Sequence, residues 1–586
     1  MNTRIFFLIA FYLLTLMASS QSDPKASQAL SQQNGFVQAY DSMHQVFSRY
    51  YPFTRWKSID WNAVNSRIRP MILAASASGD SVAFYIALQS YYDFTHDGHV
   101  GFRHGWDSIQ ARARYFQIGG SYGFALTRLD DGRQEARLVN PGSPAALAGM
   151  GFGATILELN GRPAQEVLDT LPVLWAEMIP ATLEFKKINQ GRMIGRAPKG
   201  KTLSIKFLNR GSGNPVTATM TAVDDHYLTY DQTSMYPVEP VSGVFPRILQ
   251  PSGYGYIKMT DEAGDSAQMK QKYNDFKNAL INFDQQGSKG LLLDFRINAG
   301  GNDALAAAVA GFFHTDTVLY ELQTWYNPAD DSIEILPIPI THFDPITLKP
   351  VYRLNYPNGS LYSEPQGYHY SKPVVVMVNP RSISSGEGIP MMLKKTGRGK
   401  VVSFYGSNGS FGMVERTYYF FPPPSDLRVT YPYGQSVDMN LRVQVDSDSA
   451  MNGGVTPDIR VPLNDTVMDQ LYIDSLDVEL EYAVKTLSSI LGISHPQDNS
   501  IEMSLEQNSP NPFSSTTTVT YRLQSDSYVI LEFCDICGRT LQTLVSRFEL
   551  SGPHTVTLER SPFAAGVYLF RLKAGDGIVT RKCIIN

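Results

Sequence analysis

The segment KPVVVMVNPRSISSGEGIPMMLKKTGRGKVVSFYGSNGSFG, residues 372–412, constrains the fold more than any other part of the chain. Its valine-rich run over 373–378 is short and ends on Asn379-Pro380, the pattern of a buried strand. Ser382, Ser384 and Ser385 follow where a helix begins, and Glu387 falls in its first turn. A serine on a tight strand-to-helix turn presents its hydroxyl at the edge of a sheet, beside backbone N–H groups that a helix start leaves unbonded. That is the geometry of an acyl-transfer nucleophile. Serines at a helix start more often serve only as N-caps, so the rest of the chain must decide between the two.

A chain of 586 residues predicts roughly three to five domains. With 43% hydrophobic and 18% charged residues it can bury large cores, and its net charge of -5 offers no basic footprint for nucleic acid. Residues 1–20 carry Arg4, an apolar run over 5–17 and then Ala18, Ser19 and Ser20. The run is short for a bilayer and reads as a cleaved export signal, with the mature chain starting near Gln21. No later stretch reaches membrane length, so no stable membrane span is expected. Cys534, Cys537 and Cys583 are the only cysteines, and they read as inert thiols or one disulfide in the last domain.

Residues 29–113 read as helical, with apolar residues at helical spacing over 36–50 and 81–94. The second pattern runs into His96-Asp97-Gly98-His99-Val100-Gly101, where two glycines end the helix and leave the histidines on a loop. His96, His99 and His104 lack the helical spacing of a metal site. They read either as exposed side chains or as the source of a general base for a distant serine. Residues 115–223 turn strand-rich. Ser121-Tyr122-Gly123-Phe124 resembles the carboxylate-capturing loop of a PDZ domain, and Asn140-Pro141-Gly142-Ser143-Pro144 through Asn160-Gly161 resembles the helix, turn and strand of the bacterial version. That resemblance implies peptide binding at Tyr122, Gly123 and Phe124 by addition of a strand to a sheet edge. The segment over 163–201 is longer than such a module needs.

Residues 290–302, GLLLDFRINAGGN, read as a buried strand, a glycine turn and the start of a helix, without the spacing of a nucleotide-binding loop. Strands and helices alternate to residue 396, which predicts a layered α/β domain with a largely parallel sheet. Asp294-Phe295-Arg296 through Gly300-Gly301, the Ser384 turn, Gly397-Arg398 and Gly454-Val455-Thr456-Pro457-Asp458 together resemble the C-terminal processing, or tail-specific, peptidase family. The matches come in that family's order of helical segment, PDZ module and crotonase-like layered core. The lysine base of one branch is absent, since Gly409 stands at its position, and Asp97-Gly98-His99 resembles the histidine of the tricorn-like branch. The resemblance therefore implies Ser384 as nucleophile, His99 as base and the Gly300 and Ser385 N–H groups as oxyanion donors. Met451 stands where that branch has its acid, so Asp448 is taken as the acid, with Asp446 and Glu387 as alternatives. No metal or organic cofactor is implied.

Residues 491–503 read as a linker, and the remainder alternates apolar and polar residues as a small β-sandwich. Leu505 through Phe513, Gly538-Arg539, Gly566-Val567-Tyr568 and Arg581-Lys582 resemble the type A sorting domain of the type IX secretion system. A carbohydrate-binding or spacer sandwich is the alternative. The expected layout is a signal peptide over 1–20, helical domain over 21–113, PDZ-like domain over 114–225, peptidase core over 226–490, linker and sorting domain over 504–586. The expected protein is an exported or cell-surface serine endopeptidase with peptide or protein substrates and the type IX machinery as partner. A peptide-binding scaffold with a degenerate core, and an esterase, are the alternatives.

Overall fold

The computed structural model describes residues 32–103, 107–235, 241–344, 346–420, 427–492, 503–523, 527–535, 539–574 and 577–586. The expected signal peptide, His104, Cys537, Gly538 and most of the linker lie outside them. The described chain is multidomain.

Three helices lead, α1 (Gln32–Tyr50), α2 (Trp61–Ser78) and α3 (Ser81–Asp93). Asp60 and Asp80 cap the second and third by accepting N–H bonds from their first turns. Their apolar faces meet in an aromatic core that includes Phe47, Trp61, Tyr91 and Tyr92. The chain leaves α3 through the histidine loop into β1 (Gly101–Arg103) and then α4 (Asp107–Ile118). The expected boundary at 113 falls inside α4, because the helical pattern continues for another turn.

A β-rich unit follows, with an antiparallel sheet that runs β2 (Phe124–Arg128), β3 (Gln134–Val139), β4 (Thr155–Leu159), β5 (Thr202–Leu208) and β6 (Val216–Thr221). The long segment before β5 folds into α5 (Leu183–Met193), which packs on the outer strand β2.

The α/β core is a sheet in the order β7 (Val244–Ile248), β8 (Gly255–Met259), β9 (Leu291–Asp294), β11 (Val374–Met377), β12 (Gly399–Ser403) and β15 (Ile459–Arg460). From β8 onward the pairs are parallel. Residues alternate between two apolar layers. Leu291, Leu293, Val374 and Val376 face the layer under α6 (Ser266–Gln285), α7 (Asp303–Ala310) and α8 (Ser385–Lys395). Leu292, Val375 and Met377 face the layer that includes Val478 and Leu487 of α10 (Val478–Ile490). Burial on both faces is why these strands read as unbroken apolar runs. Between α7 and β11, β10 (Val318–Asn327) joins a separate antiparallel sheet.

Strands β13 (Met413–Phe420) and β14 (Leu427–Gly434) stitch the N-terminal helices to this core, because β1 pairs with β14 and places Gly101 opposite Thr430. Charge helps to hold the β-rich unit: Arg133 and Arg210 donate to Asp465 at 2.8 and 2.9 Å, and Arg210 also to Asp469 at 2.8 Å, both on α9 (Asp465–Tyr472), beside the packing of Leu129 into the second core layer. Residues 503–586 form two small antiparallel sheets over one apolar core. Cys534 and Cys583 are buried free thiols there, on strands separated by the strand Gly566–Ala574, and burial pushes the Cys583 thiol up to about 12.

Candidate active site

Strand β11 ends at Met377, and the chain turns through residues 378–384 into α8 at the carboxyl edge of the parallel sheet. That edge is where open α/β sheets carry their sites. Asn379 welds two turns together there, its side-chain oxygen accepting the N–H of Ile297 at 3.1 Å and of Arg381 at 2.9 Å. The three serines have separate fates. Ser382 is structural: its hydroxyl donates to Phe295 O at 2.8 Å and accepts the Asn379 N–H. Ser385 is fully buried. Ser384 stands at the N-cap position with φ 58° and ψ -137°, and its hydroxyl makes no capping bond. A left-handed serine costs on the order of 1–3 kcal/mol, and such strain collects at functional turns. The side chain is half-buried.

The glycine turn after β9 closes against this serine. Gly300 has φ +75°, and a side-chain carbon there would lie 2.6 Å from Ile383 O and 2.7 Å from Ser384 Cβ. Only glycine allows that approach. Among the described residues, no hydrogen bond engages the Ser385 N–H, which lies at the start of α8. The other expected donor differs from expectation. The Gly300 N–H donates to Asn298 Oδ1 at 2.8 Å, because Asn298 closes its own turn while its amide nitrogen donates to Glu262 Oε1 at 2.9 Å.

Behind the serine runs the loop 407–410. The Ser384 N–H donates to Ser410 O at 3.0 Å. Fully buried Glu387 holds the loop, accepting Ser407 Oγ at 2.6 Å, the Gly409 N–H at 2.8 Å and the Ser410 N–H at 3.1 Å. Burial pushes the Glu387 carboxyl up to about 7, against the pull of those donors. Gly409, where one branch of the resembling family has a lysine, is therefore part of this brace.

The histidine loop docks on the same segment. The Gly98 N–H donates to Ser410 Oγ at 2.8 Å, and a side-chain carbon on Gly98 would meet Asn408 Oδ1 at 2.7 Å and Ile383 Cδ1 at 2.8 Å. His99, buried, follows at once, its carbonyl accepting Thr430 Oγ1 at 3.2 Å. Its Nδ1 lies 3.9 Å from Asp97 Oδ1, which also accepts the His99 N–H at 2.9 Å. Asp97 is fully buried and accepts the Tyr51 hydroxyl at 2.7 Å. His96 points elsewhere in its chemistry: burial and the nearby Lys186 and Lys57 lower its imidazole to about 4.

The expected acid, Asp448, closes a local turn, its Oδ1 accepting the N–H groups of Ala450 at 2.8 Å and Asn452 at 2.9 Å. Asp446 is the buried one. Its Oδ1 accepts the Phe411 and Gly412 N–H groups, and burial followed by the charge of Asp97 raises its carboxyl well above the usual range. Tyr122 and Phe124 are buried, and the donors expected to receive a peptide carboxylate are engaged within the chain. The Tyr122 N–H donates to Gly195 O at 2.8 Å and the Gly123 N–H to Ser121 Oγ at 2.9 Å. The segment expected to be too long supplies Gly195, which follows α5 and lies against Phe124 O. Between α5 and β2 on one side and the α/β core on the other lies a cavity of about 660 Å³, lined by residues 125–130, Lys187 and Asn379 among others.

Residues 253–461 match Peptidase family S41, and residues 509–586 match the Secretion system C-terminal sorting domain. The structure of mature CPAF complexed with lactacystin superposes with a TM-score of 0.50 at 14% identity, over 79% of this chain and 99% of that one. A CPAF mutant gives 0.51 at the same identity, over 79% and 98%. The tricorn protease gives 0.35 at 15% identity, over 78% of this chain and 37% of that one. At these identities the likeness speaks to the fold. No curated protein matches the sequence.

Proposed function

We propose, because residues 253–461 match the Peptidase family S41 and residues 509–586 match the secretion system C-terminal sorting domain of type IX export, that this chain is an exported serine endopeptidase working through Ser384 and His99. The observation that carries the proposal is the strained Ser384 elbow, uncapped, with Gly300 against its side chain and the Ser385 N–H open beside it. The docking of the Gly98-His99 loop on Ser410, whose carbonyl holds the Ser384 N–H, supports the choice of base.

In this reading the Ser384 hydroxyl attacks the scissile carbonyl as the His99 imidazole takes its proton. The developing oxyanion is received by the Ser385 N–H, favoured by the α8 dipole. The imidazole then returns the proton to the leaving amine, and water releases the acyl group by the same path. Asp97 is the acid that orients the imidazole, in place of Asp448, because it is buried and its Oδ1 lies 3.9 Å from His99 Nδ1. The substrate is a peptide or protein chain. We assign its recognition to the cavity along residues 125–130, which reaches Asn379 at the base of the nucleophile turn, rather than to the Tyr122–Phe124 loop. The capture of the Gly300 N–H by Asn298 favours the second reading, a binding scaffold with a degenerate core.

Labelling with a fluorophosphonate probe and hydrolysis of an unstructured protein substrate separate the two. Wild type is expected to label and cleave, Ser384→Ala to do neither, and His99→Ala to lose about 10³-fold or more in rate. Cleavage that survives in Ser384→Ala overturns the nucleophile. Absence of labelling in wild type with intact peptide binding establishes the scaffold.

A further inference from the structure

Lys57 lies in the turn between Tyr50, which ends α1, and Asp60, which caps α2, and it is 7% exposed. A lysine so buried needs partners for its three protons. Lys57 Nζ has three: His96 O at 2.9 Å, Ser447 O at 2.9 Å and Ser447 Oγ at 2.8 Å. All three acceptors belong to two loops. One carries His96, Asp97 and His99, and the other carries Asp446 directly before Ser447. The first loop is strained, with His96 at φ 43°, and the ammonium bonds the carbonyl of that strained residue. The charges it feels most are Asp97 and then Asp446, both buried. Trp56 ties the same pair of segments, its indole N–H donating to Asp446 O at 3.1 Å.

We propose that Lys57 is a positioning residue for the hydrolysis, its ammonium locking the loop of His99 onto the loop of Asp446 and so fixing the imidazole relative to Ser384. The inference rests on the Ser384 and His99 reading. Lys57 touches neither the nucleophile turn nor the cavity along residues 125–130, so it acts on the rate step and not on substrate affinity. A neutral side chain of similar length leaves two buried carbonyls unbonded and removes the cation from between two buried carboxylates. The loop then relaxes from its strained form, and a displacement of about 1 Å at the base costs about 100-fold in rate.

The experiment compares full-length wild type, Lys57→Met, Lys57→Arg, Ser447→Ala and Ser384→Ala by steady-state hydrolysis, with unfolding temperature as the check on folding. Lys57→Met is expected to lower kcat by about 100-fold while KM stays within about twofold, the pattern of an interaction that acts in the transition state. Lys57→Arg restores about tenfold of that loss by keeping the charge and donors. Ser447→Ala, which removes one acceptor of the three, lowers kcat by a few-fold with KM unchanged. Should Lys57→Met not fold, Ser447→Ala decides, and an unchanged kcat there overturns the inference. An unchanged kcat in a folded Lys57→Met, or a loss shared equally by KM and kcat, also overturns it. Turnover in Ser384→Ala refutes the nucleophile instead, whatever the lysine variants do.

Discussion

Replacing Glu387 by glutamine tests the brace behind the nucleophile. Burial raises this carboxyl from 4.5 to about 7 in the folded protein, a difference equivalent to about 3 kcal/mol. Because the folded value lies above the unfolded one, the contribution to stability is complete below about pH 4.5, where both states hold the proton. It is lost as pH rises through about 7. Glutamine cannot ionise, so it escapes that loss, but its amide nitrogen faces donors that the carboxyl oxygens accept, at a cost of about 1 kcal/mol. Glu387→Gln is therefore expected to be less stable than wild type by about 1 kcal/mol at pH 4.5 and more stable by about 2 kcal/mol at pH 8. Urea unfolding of both proteins at the two pH values, followed by the fluorescence of the α/β core, measures the difference. Taking the difference between the proteins cancels the titration of every other group. An equal offset at both pH values would refute the claim that Glu387 holds its proton in the folded chain. Activity should fall at both, because Ser410 loses an anchor that also positions Ser384 and Gly98.

Gly300→Ala should fold with a loss of about 10²-fold or more in turnover, since its methyl group would push on Ile383 O and Ser384 Cβ; wild-type kcat would show that the turn has room. Asp448→Ala is expected to keep kcat within a few-fold, because its carboxylate makes its hydrogen bonds within its own turn, and a loss near that of His99→Ala would restore it as the acid. Asp465→Asn removes the shared partner of Arg133 and Arg210 and should weaken docking of the β-rich unit by on the order of 1 kcal/mol, read as faster proteolytic nicking between residues 200 and 240. That effect should shrink as salt is added, and salt-independent nicking would count against an electrostatic clamp.

The strand and the following helix could be read from residues 372–412 because their patterns are local or follow from burial on both faces of a parallel sheet. Which of the three serines is left uncapped at the turn could not. Ser382 is tied through its hydroxyl to Phe295 and Asn379, Ser385 is fully buried, and Ser384 alone of the three is left-handed and half-buried, differences that follow from tertiary packing. The acid shows the same limit more sharply. Asp446 and Asp448 are two positions apart, yet one is buried beside Asp97 and the other caps a surface turn, a difference set by residues 411 and 452. Asp97 lay inside the motif that pointed to His99, but nothing in sequence assigns it to the imidazole. Lys57 carried no local signal, since its three acceptors sit at positions 96 and 447. The segment Tyr122–Phe124 resembled a carboxylate loop in sequence, but the acceptor of its Tyr122 N–H, Gly195, came from the inserted segment that sequence could only mark as too long, and its Gly123 N–H is taken by Ser121.

The short strand β1 leans on β14, the histidine segment leans on Ser410 and Thr430, and Lys57 joins that segment to Ser447. A ribosome must therefore deliver more than three quarters of the polypeptide before the early imidazole acquires a seat. Any nascent or prematurely terminated product that stops short of this region holds its alcohol and its base apart. For the proposed hydrolase, unfinished copies are thereby kept inactive by nothing more than the order in which the pieces are translated.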